Sequence, residues 1–272
     1  MMNLATQPIR FACSFLVILQ LVASGWSQET RGLESGKETK WLPNVLPIEL
    51  TVGYAVRAID LSGDGKLDIA IVDSKRIVWL ENPTWTIHTI FETPAAYADN
   101  VCFAPHDIDG DGDIDFAIGT DWQPNNTDSG GVVGWLESPP NPRDRWTFHR
   151  VLEPEPTVHR MRWGDFDGDG KFELIVAPLK GPKSKGPKFE DIPVRLSMFQ
   201  SVGNPRKDAW KNQPIDVPFF VMHNIELIPR KDDKGVDIVT ASFQGVHILS
   251  KESGSGKLSI QRIGSGHEGE AP

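Results

Sequence analysis

The 272-residue chain carries a formal net charge of −9, with 39% apolar residues, 25 Gly and 21 Pro. That acidic balance argues against nucleic acid as a partner. The glycine and proline content excludes a fold of long helices and favours short strands joined by turns, on a chain long enough to bury a sizeable core.

In chain order, residues 1–10 hold one charge, Arg10. Phe11 to Val22 is an apolar run of about twelve residues, and Ala23, Ser24 and Gly25 are the small residues that signal peptidase cleavage needs. Residues 1–25 therefore read as a signal peptide, with a buried N-terminal helix as the alternative. The run is too short to span a bilayer, and Cys13 lies inside it rather than at its end, so neither stable membrane insertion nor a lipoprotein anchor is expected. The expected location is extracytoplasmic, either periplasmic or secreted. Cys102 is the sole cysteine beyond this segment. The fold must then be held by its core and, on this reading, by calcium rather than by an internal disulfide.

Residues 26–40 are polar and charged and read as a flexible leader. The propeller-like region is expected over 41–272. Trp41 to Leu50 resembles the segments Trp85 to Phe91 and Trp146 to Leu152, which alternate as half-buried strands should, and it is expected to be an outermost strand that closes the array. Four groups of four strand candidates follow, at approximately 51–91, 99–152, 157–217 and 221–264, and 265–272 looks like the start of a further group. Four short antiparallel strands repeating at about fifty residues describe the blades of a β-propeller, an all-β fold. Two insertions interrupt the pattern, at 121–130 and 179–193. The second carries Lys180, Lys183, Lys185 and Lys188, which read as a solvated loop or as contacts to an anionic ligand.

A carboxylate pattern recurs after the first strand of each of the first three groups. It reads Asp165, Asp167, Asp169 and Glu173 before Leu174 to Val176; Asp107, Asp109, Asp111 and Asp115 before Phe116 to Ile118; and Asp60, Ser62, Asp64 and Asp68 before Ile69 to Ile71. Alternating acids in a glycine-rich turn repel one another unless a hard cation accepts their oxygens, so these residues are expected to ligate structural Ca2+. Simple polar Asx turns are the alternative. The acid at position 9 and the strand that follows exclude an EF-hand. Lys231 to Gly235 occupies the fourth position without alternating carboxylates, and no well-formed metal site is expected there.

The run D-x-D-G-D-G-x-x-[DE] before apolar residues resembles the FG-GAP or VCBS-type repeats of calcium-binding propellers, a resemblance covering roughly 51–265. It implies seven blades, of which the chain shows about four, so the resemblance presents the chain as part of a larger propeller; a closed four-bladed form with Trp41 to Leu50 packed elsewhere is the alternative. The segments V-H-R-M-R-W-G-D-F-D-G-D-G, G-G-V-V-G-W-L-E and H-E-G-E are similar to the propeller domain of aldos-2-ulose dehydratase-like proteins. That similarity implies dehydration of oxidised sugars with the help of a metal.

His159 stands six residues before Asp165, and His223 occupies the matching position in the fourth group; His267 enters the next stretch in the same manner. Such positions open the inner strands of neighbouring blades. These three histidines are therefore the candidate catalytic residues, as acid and base or as ligands of a transition metal such as Zn2+, with ordinary hydrogen-bonded histidines as the alternative. Tyr54 and Val101 hold the position in the first two groups, with Asp99 and His106 nearby. Arg160 and Arg162 could clamp an anionic or hydroxyl-rich ligand or form salt bridges, while His88 and His149 read as structural. The chain is expected to be either an exported calcium-stabilised propeller presenting a carbohydrate or extracytoplasmic protein site, or a metal-assisted sugar dehydratase or related lyase.

Overall fold

A computed structural model describes residues 42–151, 154–231, 235–252 and 255–266. The expected signal peptide, the leader, Trp41 and His267 lie outside the described residues. Among the described residues, sixteen strands form four four-stranded antiparallel sheets, each a simple meander in chain order. Blade 1 is β1 (Gly53–Ile59), β2 (Asp68–Asp73), β3 (Arg76–Glu81) and β4 (Thr86–Glu92). Blade 2 is β5 (Cys102–His106), β6 (Asp115–Thr120), β7 (Val132–Glu137) and β8 (Thr147–Arg150). Blade 3 is β9 (Val158–Gly164), β10 (Glu173–Pro178), β11 (Ser197–Gln200) and β12 (Lys211–Pro214). Blade 4 is β13 (Asn224–Pro229), β14 (Val236–Ser242), β15 (Gly245–Lys251) and β16 (Leu258–Ser265). The first strands lie side by side, β1 against β5, β5 against β9 and β9 against β13, so each blade is radial and its first strand innermost. Among the described residues, no helix is long and apolar enough to cross a membrane.

The period-two rule explains why the middle strands are nearly all apolar: both of their faces are covered. On β6, Phe116 and Ile118 pack toward blade 1 with Ala70, Val72, Ile77 and Trp79, while Ala117 packs toward blade 3 with Met161, Leu174 and Val176. On β10, Ile175 and Ala177 turn instead to blade 4, meeting Ile225, Ile238 and Leu249. Each interface is a separate core, and in the first two a Trp before a fourth strand locks it. Trp146 of blade 2 packs on blade 1, and Trp210 of blade 3 packs on blade 2. Full burial of each such side chain is worth roughly 2–3 kcal/mol.

The expected strand at Trp41 to Leu50 does not form, since 42–50 contain no strand. Pro43 and Pro47 remove two amide donors that a ladder would need. Leu46 and Ile48 pack instead on Ile69, Ile71, Val78, Leu80 and Trp85, covering the side of blade 1 that faces away from blade 2. Arg76 fixes this segment by donating to the Glu49 carbonyl at 2.6 Å, and Asp73 accepts the amides of Thr51 and Val52.

Because each blade is a meander, its loops sort to two ends. The first-to-second and third-to-fourth strand connections gather at one end, where the carboxylate loops lie. The second-to-third connections and the links between blades gather at the other. His159 and Asp165 therefore flank β9 at opposite ends.

Candidate functional site

At the carboxylate end, the three loops share one construction. The first aspartate accepts the amides of two glycines: Asp60 from Gly63 and Gly65, Asp107 from Gly110 and Gly112, Asp165 from Gly168 and Gly170. All six glycines have φ between +74° and +97°, a region costly for any side chain, which is why the pattern demands glycine there. The ninth residue is buried and anchors the loop. Asp68 accepts from Leu61 and Ser62, Asp115 from Ile108 and Ser138, and Glu173 from Phe166.

This geometry draws acids together. Oxygens of Asp165, Asp167, Asp169 and Glu173 lie within 4.8 Å of one another, as do those of Asp107, Asp109 and Asp115. Burial, together with the neighbouring acids, pushes the carboxyls of Asp115 and Glu173 up to about 7. Each group presents an all-oxygen set suited to a hard divalent cation. Asp111 is exposed and sits outside the second cluster, its carboxylate accepting the Asp113 amide. In the first loop Asp64 turns to Lys66 at 2.7 Å, while the Ser62 hydroxyl is buried without a partner. The first loop thus keeps the backbone form of the others but brings fewer carboxylates together.

Blade 4 departs from this plan. Asp237 holds the ninth position, but its partner is a guanidinium: Arg230 donates from Nε to Asp237 at 2.8 Å and from Nη2 to the Phe166 carbonyl at 2.8 Å. Arg230 occupies the second loop position, where the other blades carry Leu61, Ile108 and Phe166. Residues 232–234 of the Lys231 to Gly235 turn lie outside the described residues.

The opposite end gathers one aromatic or imidazole group from each blade. Tyr54 of β1 meets Trp122 edge-on at 5.4 Å; Trp122 stacks on His159 at 5.7 Å; His159 meets His223 edge-on at 4.9 Å. The Tyr54 hydroxyl donates to Asp99 at 2.8 Å, Lys75 pairs with Asp99 at 3.2 Å, and the Trp122 amide bonds the Asp99 carbonyl. His159 is only 6% exposed, yet neither ring nitrogen has a hydrogen-bond partner, and the indole nitrogen of Trp122 is likewise unpartnered. Burial, assisted by Arg160 and His223, lowers His159 to about 3; burial and Arg160 also lower the exposed His223. Burial and the bond to Asp99 raise Tyr54 to about 12. At neutral pH the face therefore offers an uncharged imidazole, an indole N–H and a phenol on an aromatic surface. Buried polar atoms without partners cost free energy, and their clustering marks a place where a ligand's hydroxyls would be rewarded.

Spacing located Tyr54, His159 and His223 together, six residues before each loop origin. It could not locate the contribution of blade 2, because Val101 at that position is core and Trp122 arrives from the 121–130 insertion. The two insertions interlock. Thr127 donates to the Ser184 carbonyl at 2.8 Å, and the Lys180 ammonium donates to Pro124 O at 2.7 Å and Asn125 Oδ1 at 2.8 Å. Lys180 is thus a buried strut over the Phe189 ring rather than a solvated lysine, whereas Lys183, Lys185 and Lys188 are exposed. His88 and His149 each bond a glutamate, Glu81 and Glu137, and pack on Trp79 and Trp135, in the structural role expected of them. His106 belongs to the carboxylate end, stacked on Trp163.

Sequence comparisons divide along the chain. Residues 130–272 match the family described as aldos-2-ulose dehydratase, beta-propeller domain, and residues 60–118 match the FG-GAP-like repeat. The aldos-2-ulose dehydratase of Phanerodontia chrysosporium is 25% identical over 208 residues, covering 73% of this chain and 21% of that protein. The chain therefore spans about a fifth of the length of this curated relative.

Proposed function

Because the chain belongs to the aldos-2-ulose dehydratase β-propeller family, we propose that its His159 face binds a carbonyl-bearing sugar and supports loss of water from it, while calcium in the loops at the opposite end acts as a structural clip. The observation that carries this reading is His159 itself: buried, neutral, with both ring nitrogens lacking a hydrogen-bond partner, between Trp122 and His223. Aromatic surface suits the apolar faces of a sugar ring, and a few uncharged donors and acceptors suit its hydroxyls. In the elimination, the C–H bond beside the carbonyl gives up its proton, the electron pair forms a C=C bond, and the neighbouring hydroxyl leaves and is protonated to water. On this reading His223, the exposed imidazole, takes the proton; His159 orients a hydroxyl; Tyr54, whose own proton goes to Asp99, accepts a hydrogen bond.

Two imidazoles are nitrogen donors of the kind zinc prefers, but no third His, Cys, Asp or Glu joins them among the described residues, one short of a catalytic zinc set. No step is therefore routed through a transition metal. The carboxylate loops fit calcium by donor type, and export of the chain would meet it at high concentration. The test is titration with an aldos-2-ulose, followed by Trp fluorescence and by ultraviolet absorbance of the unsaturated product. Trp122→Leu is expected to weaken binding about tenfold, and His223→Gln to abolish turnover while binding persists. Unchanged binding and turnover in both His159→Gln and His223→Gln would remove the reading.

A further inference from the structure

Beside this face, the inner strands collect more positive charge than they neutralise. Arg57 of β1, Arg162 of β9 and Glu226 of β13 occupy the same register, three residues before each loop origin, and Arg160 lies two residues further back on β9. Arg162 is satisfied: it grips Glu226 in a bidentate pair, with Nε at 3.0 Å, and donates to the Met161 carbonyl. Arg160 donates to the carbonyl of His159 at 2.9 Å and has no carboxylate within ion-pair distance among the described residues. Arg57 has neither hydrogen bond nor ion pair among the described residues. Both side chains are half-buried and close enough that Arg57 repels Arg162 and Arg160, while the acid they share is already committed.

A guanidinium removed from water without a partner is costly, and a second like charge within reach adds to the cost. In a chain of net charge −9 this local excess is the reverse of the bulk balance. Planar guanidiniums are suited to forked recognition of oxyanions. Arg160 follows His159 in sequence, and its charge is felt by both His159 and His223, so Arg160 borders the sugar face, with Arg57 reaching it through its neighbourhood with Arg160.

We infer that the ligand of this face carries an oxyanion, and specifically that Arg57 and Arg160 form a pincer for the carboxylate of a sugar acid whose hydroxylated body lies on Trp122, His159 and His223. This rests on the reading of that face as a sugar site. It narrows the substrate class from neutral oxidised sugars to acidic ones.

Isothermal titration with D-glucuronate, glucose 6-phosphate and neutral D-glucose tests it. Glucuronate is expected to bind about tenfold more tightly than glucose, as for a charge-assisted hydrogen-bonded pair, with an advantage that shrinks as salt is raised in the unmodified protein. Arg57→Gln and Arg160→Gln should each erase the advantage of glucuronate over glucose, and Arg160→Lys should retain part of it. Tighter binding of glucose 6-phosphate, with the same dependence on both arginines, would support the oxyanion site and make phosphate its source. Equal affinity for glucuronate and glucose, insensitive to salt, would overturn the pincer and leave the sugar site standing. Absence of binding by all three would overturn both.

Discussion

In blade 3, Asp165, Asp167, Asp169 and Glu173 crowd together with Lys251 as the nearest ion-paired base, 3.7 Å from Asp167; in blade 4 the guanidinium of Arg230 lies 2.8 Å from Asp237. Both loops must return the chain between the two innermost strands, and both use an acid at the ninth position. In blade 3 that acid has no ion-paired base among the described residues. Blade 4 supplies the cation from its own second loop residue, which also reaches back to the Phe166 carbonyl and approaches the Phe166 ring. The difference teaches that the ninth acid is the fixed part of the repeat and that what varies is whether the loop itself supplies a positive charge to it.

The largest expected effect comes from breaking the internal cation. Arg230→Met leaves Asp237, whose side chain is 20% exposed, without its partner, and should cost roughly 3 kcal/mol in denaturant unfolding. That loss should be the same in calcium and in chelator. Loss that appeared only in chelator would show that blade 4 also takes a metal.

A smaller effect, opposite in sign between two conditions, comes from Glu173→Gln. Without a cation, Glu173 is raised from 4.5 to about 7 by burial and by Asp167, Asp169 and Asp165. Its stability contribution is therefore fully present below about 4.5 and lost as pH rises through about 7, because the folded state binds the proton more tightly than the unfolded one. At pH 8 in chelator the glutamine should stabilise the protein by roughly 2 kcal/mol. In calcium the same change removes a ligand and should destabilise. Thermal melts of both proteins, with and without calcium between pH 4 and 8, check the reversal.

These contrasts also explain what could be read in advance. The carboxylate loops are local: every clustered acid and both glycines fall within nine residues, so the alternation shows in the sequence. The strands were legible for a similar reason, since apolar alternation recurs in every blade and a Trp before the fourth strand recurs in the first three, although β5 begins at Cys102 rather than Val101. Arg230 was not legible because its contact with Phe166 spans 64 residues, and Lys231 to Gly235 reads only as a missing pattern. Trp122 was hidden in an insertion with no counterpart. In 42–50 the alternation was real, but Pro43 and Pro47 forbid the ladder it suggests. Counting back from the loops found three members of the His159 face because blade register is conserved through the inner strands; nothing in that count could show that Arg160 lacks an acid while Arg162 has one.

Blade 2 lies between the two extremes. Its loop keeps three clustered carboxylates, yet Arg206, from the β11–β12 connection of blade 3, contacts Asp109 and pairs with Glu137 at 2.7 Å. The Asp109 side chain is 1% exposed, so this guanidinium touches a would-be ligand from the protein side, leaving Asp107 and Asp115 to face the loop interior. A cation entering here meets a charge already half compensated, which should make loop 2 a weaker calcium site than loop 3. Arg206→Met removes that competition and should raise the affinity of loop 2 by about threefold, the order expected of a partly exposed charge. Competition titration against a calcium dye measures it, with Glu173→Gln present to silence loop 3. A fall in affinity would mean that Arg206 aligns Asp109 for the metal instead of competing with it, and the graded series from blade 3 through blade 2 to blade 4 would lose its middle member.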